Sequence, residues 1–354
     1  MAADYSMRDL LATMVERGAT DLLLSVGRPP RVRVNKDLAA LDLDNLMPEK
    51  TKALCYQIMN AHQQNLLETE WEVDFSIGVP GLSRFRVNVF MQRGAVSAAF
   101  RRIPFALMTF EELGLPDVIK DLSDKPNGIT LVTGPTGSGK STTLAAMIDR
   151  INESRAAHII TIEDPVEYLH QHKQCTVDQR EIGSDTQSYT RALKSILRQD
   201  PDVVLLGEMR DMESIQAALT IAETGHVCFA TLHTNSCAQT VSRIVDVFPG
   251  EKQQQVRSQL ALCLNGVITQ ALLPKVGGGL LLACEIMVAT PAVRSLIRED
   301  KIHNLDNQIQ LGSKFGMQTM NQSLVAAVKN GLVAENIAMA ISLDVDDFRK
   351  CLMH

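Results

Sequence analysis

The sequence predicts an α/β protein with a small α+β domain, followed by a larger domain that has a parallel β-sheet and a helical C-terminal region. Residues 1–103 contain short segments of alternating apolar and polar residues, the pattern of strands with one buried face. Residues 117–290 contain apolar runs separated by helical segments, as in a parallel sheet covered on both faces. Residues 291–354 show only helical patterns, and residues 104–116, bounded by prolines, are the predicted linker.

The first domain is expected to begin with a helix over residues 6–17. Ser6 can cap this helix, Asp9 completes a capping box, and Gly18 ends it. The remaining elements are strands at 21–26 and 31–35, a helix from Pro48 to about Asn60, a short helix after it, and strands at 71–77, 84–90 and 95–103. A helix combined with several antiparallel strands is typical of an α+β domain.

The second domain is expected to alternate strands and helices. The strands are predicted at 129–133, 158–162, 203–206 and 227–231, and the helices at 140–152, 186–198, 212–224 and 237–246. Because parallel strands end at the same edge of a sheet, residues that follow them meet where an open α/β sheet binds its ligand.

Composition argues against a nucleic-acid-binding, disulfide-rich, zinc-binding, secreted or membrane-spanning protein. The net charge of −6 disfavours a basic nucleic-acid-binding face, and seven cysteines without a Cys-x-x-Cys pair disfavour a disulfide framework or a four-cysteine zinc site. The start of the chain lacks the apolar core of a signal peptide. The most apolar stretch, Leu280–Ala289, is too short to span a bilayer and contains Glu285. We therefore expect a soluble cytoplasmic protein whose contact with a membrane goes through a partner.

A glycine-rich loop after the strand at 129–133 matches the phosphate-binding pattern G-x-x-x-x-G-K-[ST] at every fixed position. Its residues are Gly134, Pro135, Thr136, Gly137, Ser138, Gly139, Lys140, Ser141 and Thr142. Glycines let the loop turn its N–H groups toward phosphates, the lysine reaches the β- and γ-phosphates, and the Ser141 hydroxyl binds Mg²⁺. The sequence therefore predicts a site for ATP and Mg²⁺.

Hydrolysis requires a carboxylate to orient water and another to help hold the metal. Glu163, with Asp164 beside it, follows the strand at 158–162, and Glu208 follows the strand at 203–206. Position alone does not decide which of Glu163 and Glu208 is the general base. His226 and His233 flank the strand at 227–231, and His233 is the stronger candidate because it lies at the carboxyl end.

Several stretches strongly resemble the secretion-type, GspE-like ATPases, and within them the type IV pilus retraction ATPases of the PilT family. They are Gly134–Thr142, Ile162–Glu167, Leu206–Asp211, Thr224–Asn235, Ser83–Asn88, Asn265–Pro274 and Gly316–Asn321. One departure is Leu23, which stands where the family's N-terminal motif has a histidine. The resemblance covers essentially the whole chain.

The resemblance implies a PAS-like N-terminal domain and a RecA-like ATPase domain, assembled as a homohexamer. It implies that Glu163 is the general base and that Glu208 supports Mg²⁺ through water. By the same resemblance, His226 and His233 couple the γ-phosphate to the subunit interface, and Arg86 and Arg101, with Arg84 next, approach the phosphates when the domains close.

The direction of the motor is indicated by Ala292–Glu299, which is similar to the signature that retraction ATPases need for retraction. The resemblance therefore implies a motor for pilus retraction and twitching motility at the inner-membrane base of the pilus. The partners that this resemblance implies are a platform protein and a paralogous retraction ATPase. The alternatives are an assembly or type II secretion ATPase, an accessory retraction paralogue, a RecA-like nucleic-acid translocase, and a scaffold that binds nucleotide without hydrolysing it.

Overall fold

A computed structural model describes residues 5–34, 37–103 and 107–353. The chain divides into two compact units. The first comprises Met1–Ala106 with Glu167–Leu169, and the second comprises Leu107–Val166 with His170–His354. Of the predicted linker 104–116, residues 104–106 lie outside the described residues, and part of the remainder forms a short helix, α4 (Phe110–Leu113).

The first unit contains an antiparallel sheet of six strands, in the order β3-β2-β1-β6-β5-β4. The strands are β1 (Asp21–Leu24), β2 (Arg31–Val34), β3 (Asp37–Ala40), β4 (Glu72–Val79), β5 (Ser83–Gln92) and β6 (Ala95–Ile103). The helices are α1 (Met7–Glu16), α2 (Pro48–Tyr56) and α3 (Ala61–Glu70). This confirms the predicted combination of helices with an antiparallel sheet.

Local signals in this unit act as the sequence predicts. Ser6 and Asp9 form the capping box of α1, in which each side chain bonds the other residue's main-chain N–H. Along β5 the buried residues Phe85, Val87 and Val89 alternate with residues of the opposite face, so one face of the sheet joins the core. Two predictions were too long: α2 ends at Tyr56, and β1 ends at Leu24. Asn35, the predicted end of β2, lies outside the described residues.

The second unit contains a sheet of seven strands, in the order β13-β12-β7-β11-β10-β8-β9. The strands are β7 (Gly128–Thr133), β8 (His158–Glu163), β9 (Thr176–Glu181), β10 (Val203–Leu206), β11 (Val227–Leu232), β12 (Leu264–Pro274) and β13 (Leu280–Val288). All neighbours are parallel except β12 and β13, which are antiparallel. Every residue of β7, β10 and β11 is buried, which confirms a parallel sheet covered on both faces.

Helices cover this sheet and continue to the end of the described chain. They are α5 (Asp117–Ser123), α6 (Lys140–Ser154), α7 (Tyr189–Ile196), α8 (Met212–Glu223), α9 (Cys237–Asp246), α10 (Gly250–Cys263), α11 (Pro291–Arg298), α12 (Leu305–Leu311), α13 (Met320–Lys329), α14 (Glu335–Ile341) and α15 (Val345–Met353). The region after residue 291 is helical, as predicted. The helix predicted at 186–198 is shorter, because Ser188 caps it and its first helical residue is Tyr189.

The sequence did not predict the edge strand β9, the helix α10 or the strands β12 and β13. The apolar stretch near Leu280 is β13, and no helix in the described part of the chain is long and apolar enough to cross a membrane.

All seven cysteines are free thiols, and six of them are buried. Burial raises the pKa of Cys55, Cys263 and Cys284 to about 12, which keeps these thiols protonated and unreactive.

Candidate functional site

The glycine-rich loop joins the buried strand β7 to the helix α6. Lys140 is the first residue of α6, and its Nζ donates to the main-chain oxygens of Gly134 at 2.8 Å and Pro135 at 3.0 Å. Only 9% of this residue is exposed. The ammonium group is therefore held over the loop, at the place where the motif requires it to meet phosphates.

Only glycine fits at position 134, because there is no space for a side chain beside its Cα. A methyl group on its Cα would collide with the main-chain oxygen of Gln270 and lie 2.6 Å from the Oγ of Ser138. Gly139, with φ of 90°, begins α6 in the left-handed conformation. Among the described residues no side chain caps α6, so its first N–H groups and the positive end of its dipole remain directed at the loop. Such a helix end is suited to bind a phosphate.

Four candidate groups lie at or just after the carboxyl ends of four adjacent strands of this sheet. In the strand order β7-β11-β10-β8 they are the glycine-rich loop, His233, Glu208 and Glu163. Neighbouring strands lie about 4.8 Å apart, so these groups form a row along the carboxyl edge of the sheet. The structure thus brings together the residues that the sequence proposed separately.

Glu163 ends β8 and is held by two donors on one oxygen. The hydroxyl of Thr161 donates to Glu163 Oε1 at 2.6 Å, and Nε2 of Gln179 donates to the same atom at 3.2 Å. Thr161 and Gln179 are direct partners in the pairing of β8 with β9. Residues two apart on a strand share a face, which is why Thr161 reaches Glu163.

Glu208 is held between two cationic or ionisable side chains. His233 Nε2 lies 3.2 Å from Glu208 Oε1, and Arg210 Nε donates to Glu208 Oε2 at 2.8 Å. The carboxylate raises the pKa of Arg210 through this hydrogen bond and its charge. Arg210 is a residue that the sequence analysis missed, although it stands two positions after Glu208 in the quoted motif.

Gly207 lies close to the main chain at the end of β8. The N–H of Gly207 donates to the oxygen of Ile162 at 2.8 Å, and a methyl group at Gly207 would lie 3.3 Å from Cα of Glu163. Thr231 on β11 fastens the same turn, because its hydroxyl donates to the oxygen of Gly207 at 2.5 Å. The Gly-Glu sequence that replaces the usual terminal aspartate therefore fits a crowded strand end.

A set of threonine hydroxyls connects the base of the glycine-rich loop to the segment after His233. Oγ1 of Thr133, which precedes the loop, lies 2.8 Å from that of Thr269 and 3.5 Å from that of Thr240. Oγ1 of Thr240 lies 2.7 Å from that of Thr234. All four residues are buried, and the hydroxyl of Thr240 also lies 2.8 Å from the main-chain oxygen of Ser236, so these hydroxyls find hydrogen-bond partners inside the protein.

His226 lies apart from this row. It precedes β11, whereas His233 follows it, and the six residues of the strand between them place the two histidines about 23 Å apart. The ring nitrogen Nδ1 of His226 lies 3.0 Å from the hydroxyl of Thr224 and 3.2 Å from the oxygen of Ile221. The structure does not bring His226 to the other candidate groups within this unit.

The candidate arginines of the first unit lie on the exposed face of its sheet. Arg86 on β5 and Arg101 on β6 are directly paired, and both are exposed. Two like charges at this position repel each other, but Asp21 binds Arg101 Nε at 2.9 Å. Arg84 is on the same face of β5, and its Nη2 donates to Ser76.

The residues around the loop fit a Mg²⁺ ion only together with a ligand. No cluster of three or more His, Cys, Asp or Glu side chains within residues 5–34, 37–103 and 107–353 could hold a metal alone. The Ser141 hydroxyl, in the first turn of α6, and Glu208 supply oxygen donors, which Mg²⁺ prefers. The phosphates of a nucleotide would have to complete such a site.

The helix that carries the predicted retraction signature, α11, is fastened to α10 by Arg294. Its Nη1 donates to the oxygens of Ala261 at 2.5 Å and Leu262 at 2.6 Å, and its Nε donates to Ala289 at 2.9 Å. These bonds satisfy carbonyls at the end of α10, which have no partners within the helix. Gln259 of α10 in turn donates to Glu223 at the end of α8, the helix that follows Arg210.

Comparison with known proteins identifies the family. Residues 84–279 match the family "Type II/IV secretion system protein". The chain is 51% identical to the type IV pilus retraction ATPase PilT of Pseudomonas aeruginosa, over 93% of this chain and 96% of that protein. It is 49% identical to the twitching motility protein of Neisseria gonorrhoeae, over 94% of this chain and 90% of that protein.

Among solved structures, a pilus retraction motor PilT with bound ADP is 47% identical to this chain, with a TM-score of 0.92. The match covers 98% of this chain and 100% of that one. This likeness confirms the predicted fold class, and the identities confirm the resemblance found in the motifs. The chain therefore belongs to the type II/IV secretion system family, and within it to the type IV pilus retraction ATPases.

Proposed function

We propose that this protein is a Mg-ATP-hydrolysing motor that drives depolymerisation of pilin, and so retracts type IV pili for twitching motility. The observation that carries this proposal is the row formed by the glycine-rich loop, His233, Glu208 and Glu163 along one edge of the sheet. The retraction ATPase and twitching motility protein, at 51% and 49% identity, support the same activity.

In the proposed reaction, the glycine-rich loop and the N-terminus of α6 bind the β- and γ-phosphates, and Lys140 neutralises part of their charge. Glu163 orients a water molecule and takes its proton. The oxygen of that water forms a bond to the γ-phosphorus as the bond from this phosphorus to the β-γ bridging oxygen breaks. The products are ADP and inorganic phosphate. The donors Thr161 and Gln179 hold the carboxylate of Glu163 for this step.

Mg²⁺ would be held by the Ser141 hydroxyl and by Glu208 through water, and it would neutralise charge that develops on the phosphates. Glu208 also touches His233 and Arg210. A change at the γ-phosphate can therefore reach the loop after β11 through one carboxylate. This supports a sensing role for His233, while the proposed role of His226 is at a subunit interface.

The exposed pair Arg86 and Arg101 would approach the phosphates when the first unit closes on a nucleotide site in a hexamer. An arginine that reaches a transferring phosphoryl group accelerates the reaction by roughly 10³–10⁵.

The proposed motor would alternate between an open and a closed state of the two units. Changing the ratio of the two states from 1:99 to 99:1 requires that ATP bind one state more tightly than the other by about 5.5 kcal/mol, which a triphosphate with many contacts can supply.

Coupling to the pilus would run from Glu208 through α8 and α10 to α11. The contacts that support this route are Gln259–Glu223 and Arg294 with the end of α10. Beyond α11, the motor would act from the cytoplasmic side on an inner-membrane platform protein. A paralogous retraction ATPase would be a further partner.

Phosphate release by the purified full-length protein tests the enzymatic part of this proposal. We expect release that needs both ATP and Mg²⁺, that stops with EDTA, and that does not respond to added DNA. Light scattering should give about six times the mass of one chain. Absence of phosphate release would contradict the proposed motor, and strong stimulation by DNA would favour a translocase.

A further inference from the structure

The edge strand β9 contributes a side chain to the candidate hydrolytic site. Gln179 lies opposite Thr161 in the parallel pairing of β8 with β9. Side chains of directly paired residues lie on the same face of a sheet, and Glu163 shares that face because it is two residues beyond Thr161. The pairing register therefore places Gln179, Thr161 and Glu163 side by side.

The orientation of the Gln179 amide is determined by its other contact. The main-chain N–H of His170 donates to Gln179 Oε1 at 2.8 Å. An N–H group can only donate, so the atom that faces it must be the amide oxygen. The NH₂ group then has to face Glu163, where Nε2 lies 3.2 Å from Oε1. Gln179 can present only a donor to this carboxylate.

Two side chains donate to one oxygen of Glu163. Oε1 accepts from both Thr161 and Gln179, so its lone pairs are engaged. Two donors that converge on this oxygen hold the carboxylate in one orientation. A general base must also lie within hydrogen-bond distance of its proton, and a displacement of about 1 Å can cost on the order of 100-fold in rate.

We propose that Gln179 is a positioning residue for ATP hydrolysis, which fixes the carboxylate of Glu163 by donating from Nε2 to Oε1 while His170 fixes the amide. This inference rests on the proposed function, in which Glu163 is the general base. It assigns a role in the reaction to strand β9, whose sequence contains a single apolar residue, Val177.

Two variants of the full-length protein distinguish the hydrogen bond that Gln179 donates to Glu163 from the one that it accepts from His170. Gln179→Met has a similar length but makes no hydrogen bond. Gln179→Glu can still accept from the N–H of His170, but it offers no donor to Glu163 and places a second carboxylate beside it. We expect both variants to lose about 10–100-fold in kcat with KM changed less than about 2-fold, because the ATP-binding loop is unaltered. Gln310→Met, at an exposed position on α12, is the matched control and should retain wild-type kcat.

A double variant tests whether Gln179 acts through Glu163. Residues that act as a unit have non-additive effects on rate. In single-turnover assays, Glu163→Gln combined with Gln179→Met should therefore hydrolyse ATP at the rate of Glu163→Gln alone. Binding of a fluorescent ATP analogue and the melting temperature confirm that each variant is folded.

The outcomes distinguish this inference from the proposal on which it rests. Wild-type kcat in Gln179→Glu would mean that Gln179 only tethers His170, and a further loss in the double variant would mean that it acts elsewhere. Either result overturns the positioning role and leaves the proposed ATPase intact. Wild-type turnover in Glu163→Gln alone would instead overturn the assignment of the general base, and the role of Gln179 with it.

Discussion

Glu208 Oε1 lies 3.2 Å from Nε2 of His233, although 24 residues separate them in the sequence. The contact arises because β10 and β11 are adjacent parallel strands, and both residues come just after their carboxyl ends. With Arg210 on the other oxygen, the carboxylate connects the turn after β10 to the segment after β11. These contacts support the proposal that Glu208 both helps to hold Mg²⁺ and transmits a change at the metal to His233.

Replacing Glu208 by glutamine should separate ATP binding from hydrolysis. Gln is similar in size but lacks the charge that holds His233 and Arg210 and that would support Mg²⁺. We expect ATP affinity within a few-fold of wild type and hydrolysis reduced at least about 100-fold, measured by filter binding and phosphate release. Glu213→Gln, at an exposed position on α8, is the control. Substantial hydrolysis by Glu208→Gln would contradict the assignment.

Lys140→Ala should abolish turnover, because the loop loses the ammonium group that neutralises the β- and γ-phosphates. The bonds from Nζ to Gly134 and Pro135 also disappear. Phosphate release at saturating Mg-ATP measures the effect. The control is Lys194→Ala at an exposed position on α7. If Lys140→Ala still hydrolysed ATP appreciably, the glycine-rich loop would not be the catalytic site.

The strands that hold this site could be predicted from sequence, because β7, β10 and β11 are buried on both faces and consist mostly of apolar residues. The capping box of Ser6 and Asp9 and the glycine-rich loop were predictable for a similar reason, since each depends on residues close together in the chain.

Strand β9 could not be predicted, because five of its six residues are polar or charged. It is an edge strand that pairs only with β8 in this sheet, so its conformation is set by tertiary pairing. The contact of Arg210 with Glu208 could not be predicted from sequence either, because it depends on the direction of two side chains in a turn. The sequence therefore indicated the proposed catalytic residues Glu163 and Glu208 but missed Gln179 and Arg210, whose side chains donate to them.

Arg294→Ala should loosen α11 from α10. The change removes hydrogen bonds to Ala261, Leu262 and Ala289 and leaves partly buried carbonyls without a donor. We expect the free energy of unfolding to fall by about 1–3 kcal/mol, measured by urea denaturation followed by circular dichroism. Arg298→Ala, at an exposed position on the same helix, should change it by less than about 0.5 kcal/mol. Equal effects of the two substitutions would show that Arg294 does not fasten α11.

Acid should destabilise the protein partly through His170. Burial lowers the pKa of His170 to about 4 from 6.5, and its Nδ1 has no hydrogen-bond partner in the described part of the chain. Because the unfolded chain binds this proton at higher pH than the folded chain does, His170 favours folding above pH 6.5, and this contribution is lost as the pH falls toward 4.

The expected loss from His170 between pH 7 and pH 5 is about 2 kcal/mol. Urea unfolding at the two pH values measures it. His170→Leu, whose side chain does not titrate, should show a pH dependence smaller by that amount. An unchanged difference between pH 7 and pH 5 in His170→Leu would mean that other groups cause the acid sensitivity.

Surface piliation and twitching of a strain that lacks this gene test the central claim most directly. If the protein is a retraction motor, this strain should carry abundant surface pili that do not retract, and it should not twitch. The wild-type gene should restore retraction and twitching, whereas a Lys140→Ala allele should restore neither. A bald surface would contradict the account, because it would show that the motor assembles pili.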